Sequence, residues 1–389
     1  MRFIDCEYSI EDLEQFRDQN GFIDLSLAGI HINSSTNDLS REMIGNDKRI
    51  KNWVNFNGKK VLIKGQPTDK EQDNGLYAEL IVEEMCKELG IETAHYDLVK
   101  MIDENGKNVL GVLSESVVDL DKGEYLESLH DIIGDQTGHE TDYMVDYEFT
   151  IEKLREALLK DGMEESDVEE IIIEYKKRLA FTISVLDEDK HTENISFIRQ
   201  IVNGKKEIRI SPNFDSEASL MLPTDLETAR IYLNDIELLE SGASSIDPKI
   251  GVRKSIDEGG LDVVWMDTLE ELCVDDEVYD YWDEVLKEEL DMDEIFERVE
   301  TRINANLPED VKLLAKYAYK ARSKEMQKVM NGEIELVEET DLEAQFLLDF
   351  IMGQSVAQGI RTGEQLDIGK KLEQDMELKQ EIEKEDFEH

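Results

Sequence analysis

One stretch constrains this chain more than any other. An apolar helical pattern runs to Val185. An acidic loop follows, Leu186-Asp187-Glu188-Asp189-Lys190-His191-Thr192-Glu193-Asn194, and then two strand-like runs, Ile195 to Val202 and Lys205 to Ser211, joined by Asn203-Gly204. Asn-Gly between such runs marks a tight hairpin, because both turn positions need positive φ. A hairpin returns the chain to its starting point. The midpoint between Asn194 and Asp215 falls at this turn, so the two residues are expected side by side at the open end, with Asp189 facing the same mouth. An amide oxygen beside a carboxylate is a hard-oxygen set suited to Mg²⁺. A further carboxylate can orient or deprotonate a hydroxyl, which completes the parts that phosphoryl transfer needs. Acids also cluster by chance in an acidic chain; the placement between helix and hairpin is what lifts this pattern above that.

The first forty residues are ambiguous. Ile50 to Phe56 and Lys60 to Lys64 then read as strands about Asn57-Gly58, and Gly75 to Leu89 as a helix with Leu76, Tyr77, Leu80, Ile81, Met85 and Leu89 at three-and-four spacing. Tyr96 to Ile102 and Val109 to Val118 are two more strands. Residues 1–116 are thus a small β-rich part with one helix. Residues 117–330 turn helical: Ile151 to Lys160, a helix opened by a Ser166-x-x-Glu169 capping box, then Leu269 to Leu290, Asp293 to Asn306, and one started by Pro308. Residues 216–260 show little periodicity. Residues 331–389 read as a helical, charged C-terminal extension. Pro is scarce, so the two main parts are expected to pack as one body.

The composition narrows the function classes. Asp and Glu number 93 against 43 Lys and Arg, a formal net charge of −50 over 389 residues. That excludes a nucleic-acid backbone binder and a protein docking on an anionic membrane. With 40% hydrophobic residues the chain can still build a core. No apolar run is long enough to span a membrane, the acidic N-terminus is unlike a signal peptide, and the isolated Cys6, Cys86 and Cys273 fit a reducing compartment. The chain is read as cytoplasmic. The charge is uneven: residues 41–64 hold seven basic residues against two acidic ones. A phosphate loop is sought there, with Gly45 and Asn46 turning the chain so that backbone N–H groups meet phosphate. An ordinary polar loop fits equally well. Asn33-Ser34-Ser35-Thr36, upstream, is hydroxyl-rich and fits a self-phosphorylated segment. Lys312, Lys316, Lys320, Lys324 and Lys328, with Arg322 nearby, form a basic ridge, read as a solvated helix face.

Lys64, ending the strand Val61-Leu62-Ile63, followed by a helix carrying Glu79, is the order that clamps α- and β-phosphates. Taken singly, each is an ordinary strand-edge or helix-border charge. Glu83, one turn on, is the alternative partner. These residues together resemble a HipA-type serine/threonine kinase, a group related to the phosphatidylinositol 3- and 4-kinases. The resemblance covers roughly Lys51 to Leu220. It rests on Lys51-Asn52-Trp53, Val61-Leu62-Ile63-Lys64, Tyr77-Ala78-Glu79, Asp189-Lys190-His191-Thr192-Glu193-Asn194 and Phe214-Asp215. It implies a two-lobed α+β protein-kinase-like fold, with a small β-rich N-lobe and a larger mainly helical C-lobe. It implies that Lys64 holds the ATP phosphates, that Asp189 is the base with His191 beside it in the catalytic segment, and that Asn194 and Asp215 bind Mg²⁺. Leu113, Ser114, Glu115 and Ser116 become the hinge facing adenine. Two positions depart from the pattern. Lys190 stands where the family often has Arg, and Glu217 stands where related kinases often have Gly, adding negative charge beside the phosphates. Lys64 comes early, as in the short, stand-alone members.

The leading reading is therefore an ATP/Mg²⁺-dependent kinase acting on Ser or Thr of a protein, of basic character, with residues 216–260 as activation and substrate loop. An inhibitor or antitoxin protein is the other partner class that the resemblance implies. The alternatives are a small-molecule or lipid-headgroup kinase on the same fold and a nucleotide-binding pseudokinase acting as an interaction module.

Overall fold

The computed structural model describes residues 4–30, 51–66, 74–102, 106–134, 145–202, 204–224, 226–256 and 260–333. The proposed phosphate loop with Gly45 and Asn46, the segment 33–36 and nearly all of the C-terminal extension lie outside them.

Alternation of apolar and polar residues builds the N-terminal sheet. Its strands are β1 (Ile4–Cys6), β2 (Ile23–Asp24), β3 (Lys51–Phe56), β4 (Lys59–Gly65), β5 (Tyr96–Ile102) and β6 (Asn108–Glu115), in the order β1-β3-β4-β6-β5-β2. In β3, every second residue is buried, and Val54 and Phe56 join Val61, Ile63, Val99, Met101 and Leu113 in one core. The β3–β4 turn has φ of 48° at Asn57 and 100° at Gly58, the double positive φ expected of Asn-Gly. Within the first forty residues, which the sequence leaves ambiguous, β1 pairs parallel with β3, and β2 with β5, closing both edges. At Gly111 of β6, a Cβ would overlap the carbonyl oxygen of Lys64, so only glycine lets β6 lie this close to the strand that carries the lysine.

Helix α1 (Gly75–Glu88) follows β4 and is buried almost all round, including Glu79, Glu83 and Glu84. Three buried carboxylates on one helix must each find cations or N–H donors.

The larger part contains β7 (Tyr125–Ser128), α2 (Leu129–Ile133), β8 (Val145–Asp146), α3 (Tyr147–Lys160), α4 (Glu165–Ser184), β9 (Ser196–Val202) and β10 (Lys205–Ile210). Three strands pair in the order β10-β9-β7. Helix α4 is capped by backbone only: Glu164 is its N-cap, and Ser166 lies inside the first turn, so the capping box does not form. Residues 216–260, read as an unpatterned loop, instead fold into α5 (Leu226–Asn234), α6 (Ile236–Ser244), β11 (Ile250–Gly251) and β12 (Arg253–Ile256), which pairs with β13 (Gly260–Val263). Then come α7 (Trp265–Leu272), α8 (Asp276–Tyr281), α9 (Met292–Ile303) and α10 (Glu309–Met330). The helix expected over 269–290 is thus broken, ending in a π turn over Trp282–Leu286.

Helix α10 anchors this part against α4, α5, α6 and α7. Its Arg322, placed by sequence beside the basic ridge, is fully buried. The guanidinium lies 4.0 Å over Trp265 and donates to the carbonyls of Ala243 and Ile246, each at 2.6 Å. The ridge itself is neutralised in part, by Lys312–Glu300 at 3.2 Å, Lys316–Asp293 at 2.5 Å and Lys324–Glu240 at 3.8 Å. Residues Met1–Asn331 form one compact unit. No described helix is long and apolar enough to cross a membrane.

Candidate active site

The cluster is assembled where the hairpin's outgoing strand leaves β9. Ser211 N–H still donates to Ser196 O at 2.9 Å; two residues later, Asn213 N–H donates to Glu92 O at 2.7 Å and Ala94 N–H to Asn213 O at 2.8 Å. This transfer carries Phe214, Asp215 and Ser216 across to the N-terminal sheet and α1. Asp215 adopts φ of 60°, and its N–H donates to Tyr96 Oη at 3.0 Å. Ser216 N–H donates to Glu79 Oε2 at 2.9 Å.

Lys64 Nζ sits among three carboxylates. It is 3.3 Å from Glu79 Oε1, in short contact with Asp215 Oδ1 and 3.9 Å from Glu217 Oε2. The strand lysine and helix glutamate expected to pair are therefore paired. The alternative partner, Glu83, is not near Lys64: it meets His95 Nδ1 at 2.7 Å, Arg302 at 2.6 Å and the Tyr96 N–H at 3.0 Å. Burial pushes the Glu79 carboxyl up, with Lys64 opposing and Asp215 adding to the rise. Burial acts on Asp215 the same way, but Lys64, Lys51 and Lys190 outweigh it and hold this carboxyl well below the usual range. One lysine shared by two acids thus goes mainly to Asp215.

The acidic loop lies against the same segment. Lys190, buried, donates to Phe214 O at 2.7 Å and pairs with buried Asp187 at 3.4 Å, so it ties the acidic loop to the segment that carries Asp215. Burial raises the Asp187 carboxyl despite that lysine. Asp189 N–H donates to Asp187 Oδ1 at 3.2 Å, leaving the Asp189 side chain 43% exposed. The His191 ring holds the turn: its Nδ1 accepts from Glu193 N–H at 3.2 Å, and burial lowers its pKa, Asp189 opposing, so the neutral ring is favoured. Asn194 Nδ2 donates to Asp189 O at 2.9 Å. That commits the amide nitrogen, so Oδ1 is the atom Asn194 offers a cation.

Leu113, Ser114 and Glu115 lie in β6, between β4 and β5, with Leu113 opposite both Ile63 and Asp97. The Glu115 and Ser116 N–H groups donate to His95 O at 3.1 Å and Lys60 O at 3.0 Å. Up to Ser116 these donors serve the sheet; among the described residues, the first backbone N–H past the sheet without a partner is that of Val117.

Two contributors were not legible from the sequence. Tyr96, fully buried, positions Asp215 through its hydroxyl. Lys249 is in short contact with Asp189 Oδ1, across 60 residues. Its own segment is pinned by Val145 N–H donating to Lys249 O at 3.0 Å, ahead of the β8–β11 pair. No local pattern marks a lysine between Pro248 and Ile250 as facing a carboxylate 60 residues earlier.

Oxygens of Glu79, Asp215 and Glu217 lie within 4.8 Å of one another, a grouping able to hold a metal ion. Their chemistry fits Mg²⁺: carboxylate oxygens, with the amide oxygen of Asn194 on the adjoining loop and no soft ligand.

No family model matches the sequence, and no curated protein matches it. Solved structures do. The proinflammatory kinase CtkA of Helicobacter pylori superposes with a TM-score of 0.53 at 15% identity, over 74% of this chain and 96% of that one. A chain from the Shewanella oneidensis MR-1 toxin–antitoxin complex of HipA, HipB and operator DNA superposes at 0.41, with 12% identity, over 75% of this chain and 68% of that one. The chain shares the α+β fold of that Helicobacter pylori kinase.

Proposed function

We propose that this protein is an ATP- and Mg²⁺-dependent kinase that phosphorylates Ser or Thr of a protein substrate. The observation that carries the reading is the Lys64–Glu79 pair at 3.3 Å, closed by Asp215 at the exit of the hairpin. Lys64 binds the α- and β-phosphates, and Glu79 holds the lysine in place. Asp189, its side chain 43% exposed and held through Oδ1 by Lys249, accepts the proton of the attacking hydroxyl. Lys249 holds that carboxylate in position. Asn194 Oδ1 and Asp215 would hold Mg²⁺, which when bound neutralises phosphate charge. Val117, just past β6, supplies the hinge N–H for the base. In the nucleotide-bound form Lys64 exchanges its contact with Asp215 for phosphate, leaving Asp215 to the cation.

An in-vitro assay with ATP, Mg²⁺ and a mixed protein substrate tests this. Labelling by the wild type and its loss in Asp189→Asn and Asp215→Ala is expected; equal labelling by all three sinks the assignment. One observation favours a second reading, a nucleotide-binding module without turnover: Glu217 stands 3.9 Å from Lys64 and adds a third acid there. Nucleotide-dependent thermal stabilisation without product would select it.

A further inference from the structure

A cavity of about 920 Å³ lies away from the Lys64 cluster, between the start of α4 and β10, and shares no residue with that cluster. Strand β10 is an edge: it pairs with β9 alone. The register fixes which of its backbone groups are open. Lys205 lies opposite Val202 and Ile210 opposite Phe197, and the Ser211–Ser196 bond at 2.9 Å continues that register, so residues 205, 207, 209 and 211 bond to β9. The N–H and C=O groups of Lys206, Ile208 and Ile210 therefore face outward, and their N–H groups have no partner among the described residues. Ile208 is nonetheless only 8% exposed. An open ladder edge set in a cavity, with a buried isoleucine in it, is the geometry that adds an extended peptide as a further strand.

The opposite wall states what kind of peptide. Glu164, Asp167 and Glu170 follow one another at three-residue spacing from the start of α4, all exposed, and no ion pair to any of them exists among the described residues. Of the strand-side cations, Lys206 is matched by Asp161 at 2.6 Å and Arg209 by Glu124 at 3.2 Å; with Lys205 they make three cations against seven carboxylates in the lining. The net field in the cavity is negative, while Ile171 and Ile208 give its floor an apolar character.

We propose that this cavity is a docking groove for an extended basic segment of a partner protein. The segment pairs as a fourth strand on β10, with lysines or arginines towards Glu164, Asp167 and Glu170 and β-branched residues continuing the apolar row of Ile208. The inference stands on the strand and the wall, not on the kinase reading.

The test uses the full chain and a fluorescein-labelled ten-residue peptide of alternating lysine and valine. Anisotropy should show saturable binding that weakens with salt. Hydrogen exchange should slow at the amides of Lys206, Ile208 and Ile210 when the peptide is added. Asp167→Lys with Glu170→Lys, both exposed positions, should weaken binding at least about tenfold. Ile208→Pro, which deletes one outward donor, should weaken it as well, and retained thermal unfolding certifies that variant. Absent binding, equal binding by the charge-reversed protein, or protection elsewhere on the molecule would overturn the proposal. Neither outcome touches the labelling assay, so the two readings fail separately.

Discussion

Glu79 and Glu83 lie one turn apart on α1, and both are 1% exposed, yet their surroundings push them in opposite directions. Glu83 has a half-circle of donors: His95, Arg302 and the Tyr96 N–H, with Lys87 at 2.8 Å. Burial would raise its carboxyl, but these donors outweigh it and set its pKa to about 2. Glu79 has one lysine, shared with Asp215, and one backbone N–H. Its carboxyl is pushed up. A fully compensated buried acid is a structural clamp, tying α1 to β5 and α9. An under-compensated one stores the freedom to rearrange when a phosphate or cation arrives. The two carboxylates thus separate stability from chemistry within a single helical turn.

The largest effect expected on breaking this contrast is in Glu83→Gln. Its folded value of about 2, against 4.5 for an ordinary glutamate carboxyl, corresponds to about 3 kcal/mol. Because the folded state binds this proton less tightly, the stabilisation is full above 4.5 and is lost as pH falls towards about 2. Urea unfolding of the variant should show the loss at neutral pH and a flatter acid limb. The specific activity of the folded fraction should stay unchanged.

Glu79→Gln should do the reverse. A carboxyl raised by burial costs stability as pH rises through its folded value, so the amide should leave the midpoint unchanged or higher at neutral pH. Labelling should fall by about tenfold to a hundredfold, because Lys64 loses its tether. Parallel loss of stability and activity in both variants would erase the distinction.

Lys249→Ala comes next. With one charged hydrogen bond removed from Asp189, kcat should drop about tenfold while the KM for ATP holds. An equal change in KM would assign Lys249 to nucleotide binding instead. The smallest effect is expected of Glu217→Gln. A partly exposed acid 3.9 Å from Lys64 contributes little, so nucleotide affinity, read by calorimetry, should improve by about threefold.

Much of the fold was legible because it is local. Asn57-Gly58 and Asn203-Gly204 set their hairpins by turn chemistry, three-and-four spacing drew α1 to within a residue, and Pro308 marked the start of α10. What failed was equally physical. Residues 216–260 hold helices that pack against α10 through few residues, with Leu239 and Ala243 the buried positions of α6, rather than being announced by strong periodicity. Arg322 neighbours the surface lysines in sequence but falls two residues off their four-residue step, and it meets Trp265 and the carbonyls of Ala243, Ile246 and Ile183. A helix face is legible from spacing; which neighbour covers it is not.

For the site, sequence alone determined the candidates and their order: Lys64 at a strand end, Glu79 on the next helix, Asp189 and Asn194 in a loop, Asp215 past a hairpin. Tertiary structure decided the choices among them. Glu79 rather than Glu83 meets Lys64, because the chain crosses at Asn213 from β9 to Thr93 and sets Asp215 and Ser216 against that turn of α1. Lys249 rather than Lys190 meets Asp189, because Lys190 is drawn to the Phe214 carbonyl. Contacts spanning 60 to 151 residues depend on how whole elements pack, and no periodicity within a single element encodes them.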